Sequence, residues 1–398
     1  MEVRLEPALV RGFRFAGVAA GLRSEPERKD LGIIVADAPA TAAGVFTTSR
    51  VKAAPVIIAQ ERVRAGRLRA VAVNSGSANC FTGKTGMKLA EDSAACLADA
   101  LGCDAALVAP ASTGVIGRLY DLEKYRAGIA QAVSKLAPEG LADFATAILT
   151  TDTHPKMAAT KLRIGGAEIA IAGCAKGAGM IQPMMATMLA FIVTDAAISA
   201  AALRGIIRRT LPSSFNAVTV DGDMSTNDTL LVMASGAAAT RSLAGSALAR
   251  FEKAFGAVAE TLARELVRDG EGATKLVTIE VRGARSAPDA ERVARAVANS
   301  PLVKTAFFGC DPNFGRIAMA VGKAGVAIDP DRLEVNLAGI RIASRGTLHV
   351  EALPQAAAKM REREFKLVID LKQGRAAARI LTCDLSYDYV KINAEYTT

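Results

Sequence analysis

Lys176 to Asp195 reads KGAGMIQPMMATMLAFIVTD, a glycine loop joined to an apolar run through the small pair Ala186-Thr187. Gly177 and Gly179 allow the backbone to approach another group closely, because glycine reaches positive φ without steric cost. Met188 to Val193 is short, apolar and ended by the polar Thr194-Asp195, which are the marks of a buried strand. Thr187 therefore stands at the mouth of a strand, held rigidly and with little room for water. In mid-chain its hydroxyl is a poor nucleophile. A cut between Ala186 and Thr187 would give Thr187 an α-amine with a pKa of about 7.7 to 8, close enough to neutrality to take the hydroxyl proton. Threonine with its own N-terminal amine is one of the ways such a hydroxyl is activated. Taken alone, the dipeptide favours the plainer reading of a strand residue whose hydroxyl serves a neighbour.

The segments around this stretch alternate between the two periods of regular structure. Leu31 to Ala36 and Gly44 to Thr48 read as two strands separated by a turn at Pro39, and Ala70 to Val73 and Leu107 to Ala109 as two more. Helices are expected over Lys88 to Leu101, Leu122 to Lys135, Leu141 to Thr146 and Ile198 to Leu211. Lys161 to Ile164 and Glu168 to Ala172 flank Gly165-Gly166 as a hairpin. Leu248, Phe251, Phe255, Val258, Leu262 and Leu266 recur every three or four residues and give the clearest amphipathic helix. Further strands are expected over Lys275 to Val281, Leu333 to Leu337, Phe365 to Leu371 and Ala378 to Asp384, with a helix over Pro288 to Ala298. The sum is an α/β chain.

Composition removes several functions. Of 398 residues 51% are hydrophobic, enough for a sizeable core and, on length, for two domains, with no compositional break demanding a linker. The net charge of +9 is scattered among acids without a basic stripe, so a solvated surface that attracts carboxylate substrates is expected and nucleic acid is not. Two histidines, His154 and His349, lack ligand spacing; a His-rich metal site is disfavoured, and a Ser-His-Asp enzyme would have to use one of them. Six cysteines without a C-x-x-C pair suggest reduced thiols in a cytoplasm. No apolar run has the length of a signal or membrane segment. Gly83-Lys84-Thr85 imitates a phosphate loop but has Ala78 where its first glycine belongs. Asp221, Asp223, Asn227 and Asp228 imitate a calcium loop but place Thr226 and Val232 where glycine and glutamate are required. No metal and no cofactor are expected.

KGAGMIQPMMATMLAF, together with Asn74-Ser75-Gly76, PASTGVIG (110–117), LTTDTHPK (149–156), DGDMSTND (221–228), DGEGATK (269–275), SPLVKTAFFGCDPNFGRI (300–317) and the closing YDYVKINAEYTT, resembles the ornithine acetyltransferase family, also called glutamate N-acetyltransferases. The resemblance runs from Gly12-Phe13 to Thr398. It departs at Ser77, where asparagine is expected, and at Phe314, where tryptophan is. It implies mixed β-sheets packed between helix layers, in the self-cleaving, N-terminal-nucleophile-type architecture of ornithine acetyltransferases and DmpA-like enzymes. Cleavage between Ala186 and Thr187 would give an alpha chain, 1–186, and a beta chain, 187–398, which stay together as an alpha2beta2 assembly.

The resemblance further implies Thr187 as nucleophile, Thr113 and Gly114 as oxyanion hole, and Thr150, Lys176, Thr187, Glu271, Asn393 and Thr398 as substrate-binding residues. The implied reaction carries acetyl from N-acetylornithine to glutamate through acetyl-Thr187. Some members also use acetyl-CoA as donor, which the residues leave open. Two rival readings stand beside it: an N-terminal-nucleophile aminopeptidase or amidase, and a non-catalytic amino-acid-binding protein whose junction never breaks.

Overall fold

The computed structural model describes residues 2–182, 188–238 and 241–395. Its described residues divide into two compact units, one made of the residues up to 216 with 224–266, the other of 217–223 with 267–395. The first contains β1 Phe13–Val18, β2 Leu31–Phe46, α1 Ala54–Arg64, β3 Arg67–Asn74, α2 Gly83–Leu101, β4 Val108–Ser112, α3 Leu122–Ser134, α4 Leu141–Ala147, β5 Lys156–Ile164, β6 Ala167–Lys176, β7 Leu189–Thr194, α5 Ala200–Thr210 and β8 Thr229–Ala234. α6 Gly245–Arg268 follows, and its last two residues belong to the second unit. The strands form one mixed sheet in the order β4-β3-β2-β8-β7-β6-β5, with β1 paired to β2; β3/β4 and β7/β8 are parallel and the other pairs antiparallel.

Successive strand residues point to opposite faces, and both faces of this sheet are covered. On one side Ile34 and Ala36 of β2 and Val71 and Val73 of β3 join Val56 of α1 and Phe144 of α4. On the other, Leu31, Ile33 and Val35 with Ala70 and Ala72 join Leu97 of α2 and Ile129 of α3. A sheet sandwiched in this way is why its strands read as apolar runs rather than as alternating sequence. The expected mixed sheet between helix layers is therefore observed.

One sequence expectation is corrected. The two strands around Pro39 are a single strand, β2, whose register against β3 breaks between Val35 and Ala40. Proline lacks a ladder donor and is accommodated at such a break without ending the strand. The Gly165-Gly166 hairpin is present, with φ +58° and +84°, the pair of positive values a tight two-residue turn between twisted strands requires.

The second unit holds β9 Leu276–Ala284, α7 Ala287–Ala298, α8 Pro301–Phe308, α9 Phe314–Gly322, β10 Glu334–Leu337, β11 Ile340–Ser344, β12 Thr347–Leu348, α10 Leu353–Lys359, β13 Glu364–Asp370, β14 Ala376–Cys383 and α11 Tyr387–Glu395. Its sheet runs β12-β11-β10-β13-β9-β14, with only β13/β9 parallel. Val277, Ile279 and Val281 of β9 pack with Val293 and Val297 of α7. The alternate residue Glu280 instead meets Lys366 of β13 at 3.0 Å.

The compact units do not coincide with fragments 1–186 and 187–398. The expected cut falls between β6 and β7, which are adjacent in the first unit's sheet and share six register pairs, from Ile171↔Thr194 to Lys176↔Leu189.

Candidate active site

The site grows from the ends of four neighbouring strands. Lys176 closes β6 and pairs with Leu189; Leu189 pairs with Thr229 of β8, and Thr229 with Phe46 of β2. These four residues form one row across the sheet. Just beyond it the Thr229 N–H donates to the Met188 carbonyl at 2.8 Å and the Thr47 N–H to the Asp228 carbonyl at 2.9 Å. Gly177, which follows Lys176, has φ +147°, and a Cβ there would lie 2.7 Å from Ile181 Cδ1. The close approach expected of this glycine is thus observed.

The Lys176 ammonium donates to Thr150 Oγ1 at 2.7 Å and to Thr113 Oγ1 at 3.1 Å. Three residues separated widely in sequence, from 149–156, 110–117 and β6, therefore meet at one cation. Lys176 is 8% exposed, and a cation this buried requires compensation. Part of it comes from Asp152, whose Oδ1 accepts from Lys156 Nζ at 2.6 Å and from the Gly177 N–H at 2.6 Å, while Oδ2 accepts from the Thr150 N–H at 3.0 Å. The side chains of Asp152 and Lys156 are fully buried. Burial alone would raise the Asp152 pKa, but the charges of Lys156 and then Lys176, with the donated hydrogen bonds, hold it far below the usual carboxylate range. Asp152 and Lys156 were visible in the sequence only as members of LTTDTHPK. No local pattern marks them as a buried ion pair, because the burial comes from the sheet around them.

Thr113 and Gly114 follow β4. The turn is fixed by Asn74 at the end of β3, whose carbonyl accepts from the Thr113 N–H at 2.9 Å and whose amide donates to Ser112 Oγ at 2.6 Å. Asn227 locks the same turn, donating to the Ala78 carbonyl at 2.6 Å and the Ser112 carbonyl at 2.8 Å. Gly114 has φ +124°, and a Cβ would stand 2.7 Å from the Gly76 carbonyl carbon and 2.8 Å from the Ser77 nitrogen. Only glycine fits. Its N–H donates to no other described group, so a fixed hydroxyl and a fixed N–H stand side by side, the donor set that stabilises a developing alkoxide.

The second unit brings two further expected residues together. Asn393 of α11 donates from Nδ2 to Glu271 Oε2 at 2.8 Å, and Glu271 is buried at 8% exposure. Ala186, Thr187 and Thr398 lie outside the described residues. Among the described residues no group of three or more His, Cys, Asp or Glu side chains could hold a metal ion, and no helix is long and apolar enough to cross a membrane. His154 meets Thr153 Oγ1 at 2.9 Å and His349 meets Ser344 Oγ at 2.8 Å.

A sequence profile of the ArgJ family matches residues 14–398. The chain belongs to the ArgJ family. Arginine biosynthesis bifunctional protein ArgJ of Geobacter sulfurreducens is 49% identical over 392 residues, spanning 98% of this chain and 100% of the relative. The protein of the same name from Symbiobacterium thermophilum is 47% identical over 390 residues, 97% of each chain. Among solved structures, the arginine biosynthesis bifunctional protein of Bacillus halodurans aligns with 51% of this chain and 96% of its own, at 38% identity and a TM-score of 0.49. As an ArgJ-family chain that spans nearly the whole length of these relatives, this protein is an acyltransferase of arginine biosynthesis.

Proposed function

We propose that the chain matures by cutting itself between Ala186 and Thr187 and then transfers acetyl from N-acetylornithine to glutamate. In maturation Thr187 Oγ adds to the Ala186 carbonyl, the C–N bond breaks as the nitrogen takes a proton, and water opens the resulting ester to leave the Ala186 carboxylate. In turnover the α-amine of Thr187 takes the hydroxyl proton while Oγ adds to the acetyl carbon. It returns the proton to the departing ornithine nitrogen, and glutamate's amine then attacks acetyl-Thr187. Thr113 Oγ1 and the Gly114 N–H hold the oxyanion at each addition. Lys176, Thr150, Glu271, Asn393 and Thr398 orient the substrates. The reaction as written needs no cofactor.

The observation that carries this reading is the placement of Lys176. It pairs with Leu189, two residues along the chain from Thr187, and its ammonium sits 3.1 Å from the Thr113 hydroxyl. A cation, an oxyanion donor pair and a Thr attached to the adjoining strand are the parts acyl transfer requires. The β6–β7 ladder supports the further proposal that the two fragments stay together, and six free thiols support a cytoplasmic setting.

The intact mass of the purified protein tests this together with a Thr187→Ala variant. Fragments ending at Ala186 and beginning at Thr187, absent in the variant, are expected, as are parallel double-reciprocal lines for acetylornithine and glutamate. An unbroken wild-type chain, or intersecting lines, would overturn it. Acetate release without acetylglutamate would assign the chain to amide hydrolysis instead.

A further inference from the structure

The segment DGDMSTND (221–228) lacks the glycine and glutamate of a calcium loop, yet it is firmly held. Its residues from Met224 belong to the first unit and are tied to the chain that follows β2. Thr47 Oγ1 donates to the Ser225 carbonyl at 2.8 Å, the Thr47 N–H to the Asp228 carbonyl at 2.9 Å and the Ala53 N–H to the Thr226 carbonyl at 3.1 Å. Within this anchorage the Asn227 side chain is buried, at 4% exposure, and every polar position on it is used. Nδ2 donates to the Ala78 carbonyl at 2.6 Å and to the Ser112 carbonyl at 2.8 Å, while Oδ1 accepts from the Thr226 hydroxyl at 2.6 Å. An amide offers two donor hydrogens here, where an ionised aspartate would offer none.

The two carbonyls belong to segments that run side by side. The Ala78 N–H donates to the Val115 carbonyl at 3.0 Å and the Gly117 N–H to the Cys80 carbonyl at 2.9 Å. The Ser112 carbonyl is one end of the Ser112–Thr113 peptide, and the N–H at its other end donates to the Asn74 carbonyl at 2.9 Å. A peptide group is planar, so bonds at both ends fix its tilt and with it the entry into Thr113. Asn74 Oδ1 also accepts from the Gly76 and Ser77 N–H groups at 3.3 and 3.2 Å. Those two residues are the floor on which Gly114 rests, where a Cβ would stand 2.7 Å from the Gly76 carbonyl carbon. Asn74 and Asn227 thus grip one turn from two sides. Asn74 shares fragment 1–186 with Thr113 and Gly114, whereas Asn227 lies in 187–398.

We infer that Asn227 is a positioning residue for acyl transfer: from the fragment that begins with Thr187, it sets the Ser112–Thr113 peptide and so aims the Thr113 hydroxyl and the Gly114 N–H of the other fragment. The inference rests on the cut and the oxyanion donors proposed above. Anchorage of the segment does not require this amide, since the bonds to Thr47 and Ala53 use main-chain carbonyls that any residue at 225, 226 or 228 would supply. An oxyanion hole works through donors fixed before the reaction begins, and a misplacement of about 1 Å costs about 10²-fold in rate. Each fragment therefore completes the other: one brings the donors, and the other holds them in line.

Asn227→Ala tests this, together with Asn227→Asp, which keeps the volume and loses both donors. Each should cut itself about 10²-fold more slowly than wild type, and the cleaved material should show kcat/KM for acetylornithine lower by about the same factor. The dissociation constant for ornithine, which offers no acyl group to the hole, should change by less than about twofold. Asn227→Ser leaves one donor and should fall between wild type and Asn227→Ala, and it decides the matter if the alanine variant does not fold. A purely structural role would add independently to a lesion in the hole. Combining Asn227→Ala with Thr113→Val should instead lose at least about 10-fold less in kcat/KM than the product of the two single losses, because both act on one set of donors. Losses that multiply overturn the inference, as do folded Asn227 variants that cut and turn over at the wild-type rate, and both outcomes leave the proposed function standing. A wild type that neither cuts itself nor transfers acetyl removes that function and the inference with it.

Discussion

Two aspartates in the same unit, Asp152 and Asp228, are buried to a similar degree and are treated in opposite ways. Asp152 is surrounded: Lys156, the Gly177 N–H and the Thr150 N–H all bond to it, and Lys176 adds charge. Asp228 has the hydroxyls of Ser225 and Thr47 beside it. Desolvation penalises both carboxylates, and only the neighbours decide which one ionises. The difference separates a charge used as scaffolding from an acid that burial keeps protonated. Asp152 keeps the Lys176 end of β6 in place, whereas the Asp228 side chain, with no bonded cation, is kept neutral by burial.

The largest way to break this contrast is to strip Asp152. Lys156→Met removes its closest cation and leaves a carboxylate in a dry site, and losing one member of a buried pair costs about 3–5 kcal/mol. A fall of that size is expected in denaturant-melt stability; a change below about 1 kcal/mol would mean that Lys156 does not compensate Asp152. Lys176→Met tests the other cation. Asp152 retains Lys156, so stability should fall less than in Lys156→Met, while kcat/KM should drop by about 10²-fold or more, the scale of losing one preorganised charged or hydrogen-bonding group at an oxyanion site. A Lys176→Met enzyme as unstable as Lys156→Met but fully active would reverse the assignments of the two lysines.

The smallest effect sharpens the contrast through pH. Asp152 has a folded pKa below its unfolded value, so its contribution to stability is present above about pH 4 and is lost as pH falls toward the folded value. Asp228 has a folded pKa above its unfolded value, so the folded chain binds the extra proton and stability declines as pH rises from about 4. Thermal melts of uncut Thr187→Ala against Thr187→Ala/Asp228→Asn should therefore diverge with rising pH, the double variant losing less. Parallel curves would show that Asp228 is ionised in the uncut chain.

Much of the first unit was legible because its motifs sit at strand ends. Hydrophobic runs located β3, β4, β6 and β7, and Gly177 after Lys176 was correctly read as a close approach. The sequence split β2 at Pro39, since a proline in an apolar run looks like a terminator until a register break is seen to absorb it. Helix α1 was not read at all: its buried Ala54, Pro55, Val56, Ile58, Ala59 and Val63 crowd into its first half and give no clean helical stripe. At the site, Thr113, Gly114 and Lys176 were named by the family resemblance, since the residues alone read as a turn and a surface-loop cation, and their meeting at one ammonium was legible in neither. The ionisation of Asp152 and Asp228 was invisible for a deeper reason: burial and partners are tertiary, and the DTHPK and STND segments that carry them look alike as short polar loops.

The strand order also sets a schedule. The second half of β2 is completed by β8, with Thr41 opposite Ala234 and Phe46 opposite Thr229, nearly two hundred residues later in the chain. Such distant pairings form slowly, because a long loop must close before any contact rewards it. While the ribosome is still making the segment before β8, the central strands lack their shared neighbour and the row of residues around Lys176 has no far side. The proposed self-cleavage beside that row would therefore follow synthesis of residue 234, with the strand order acting as its clock.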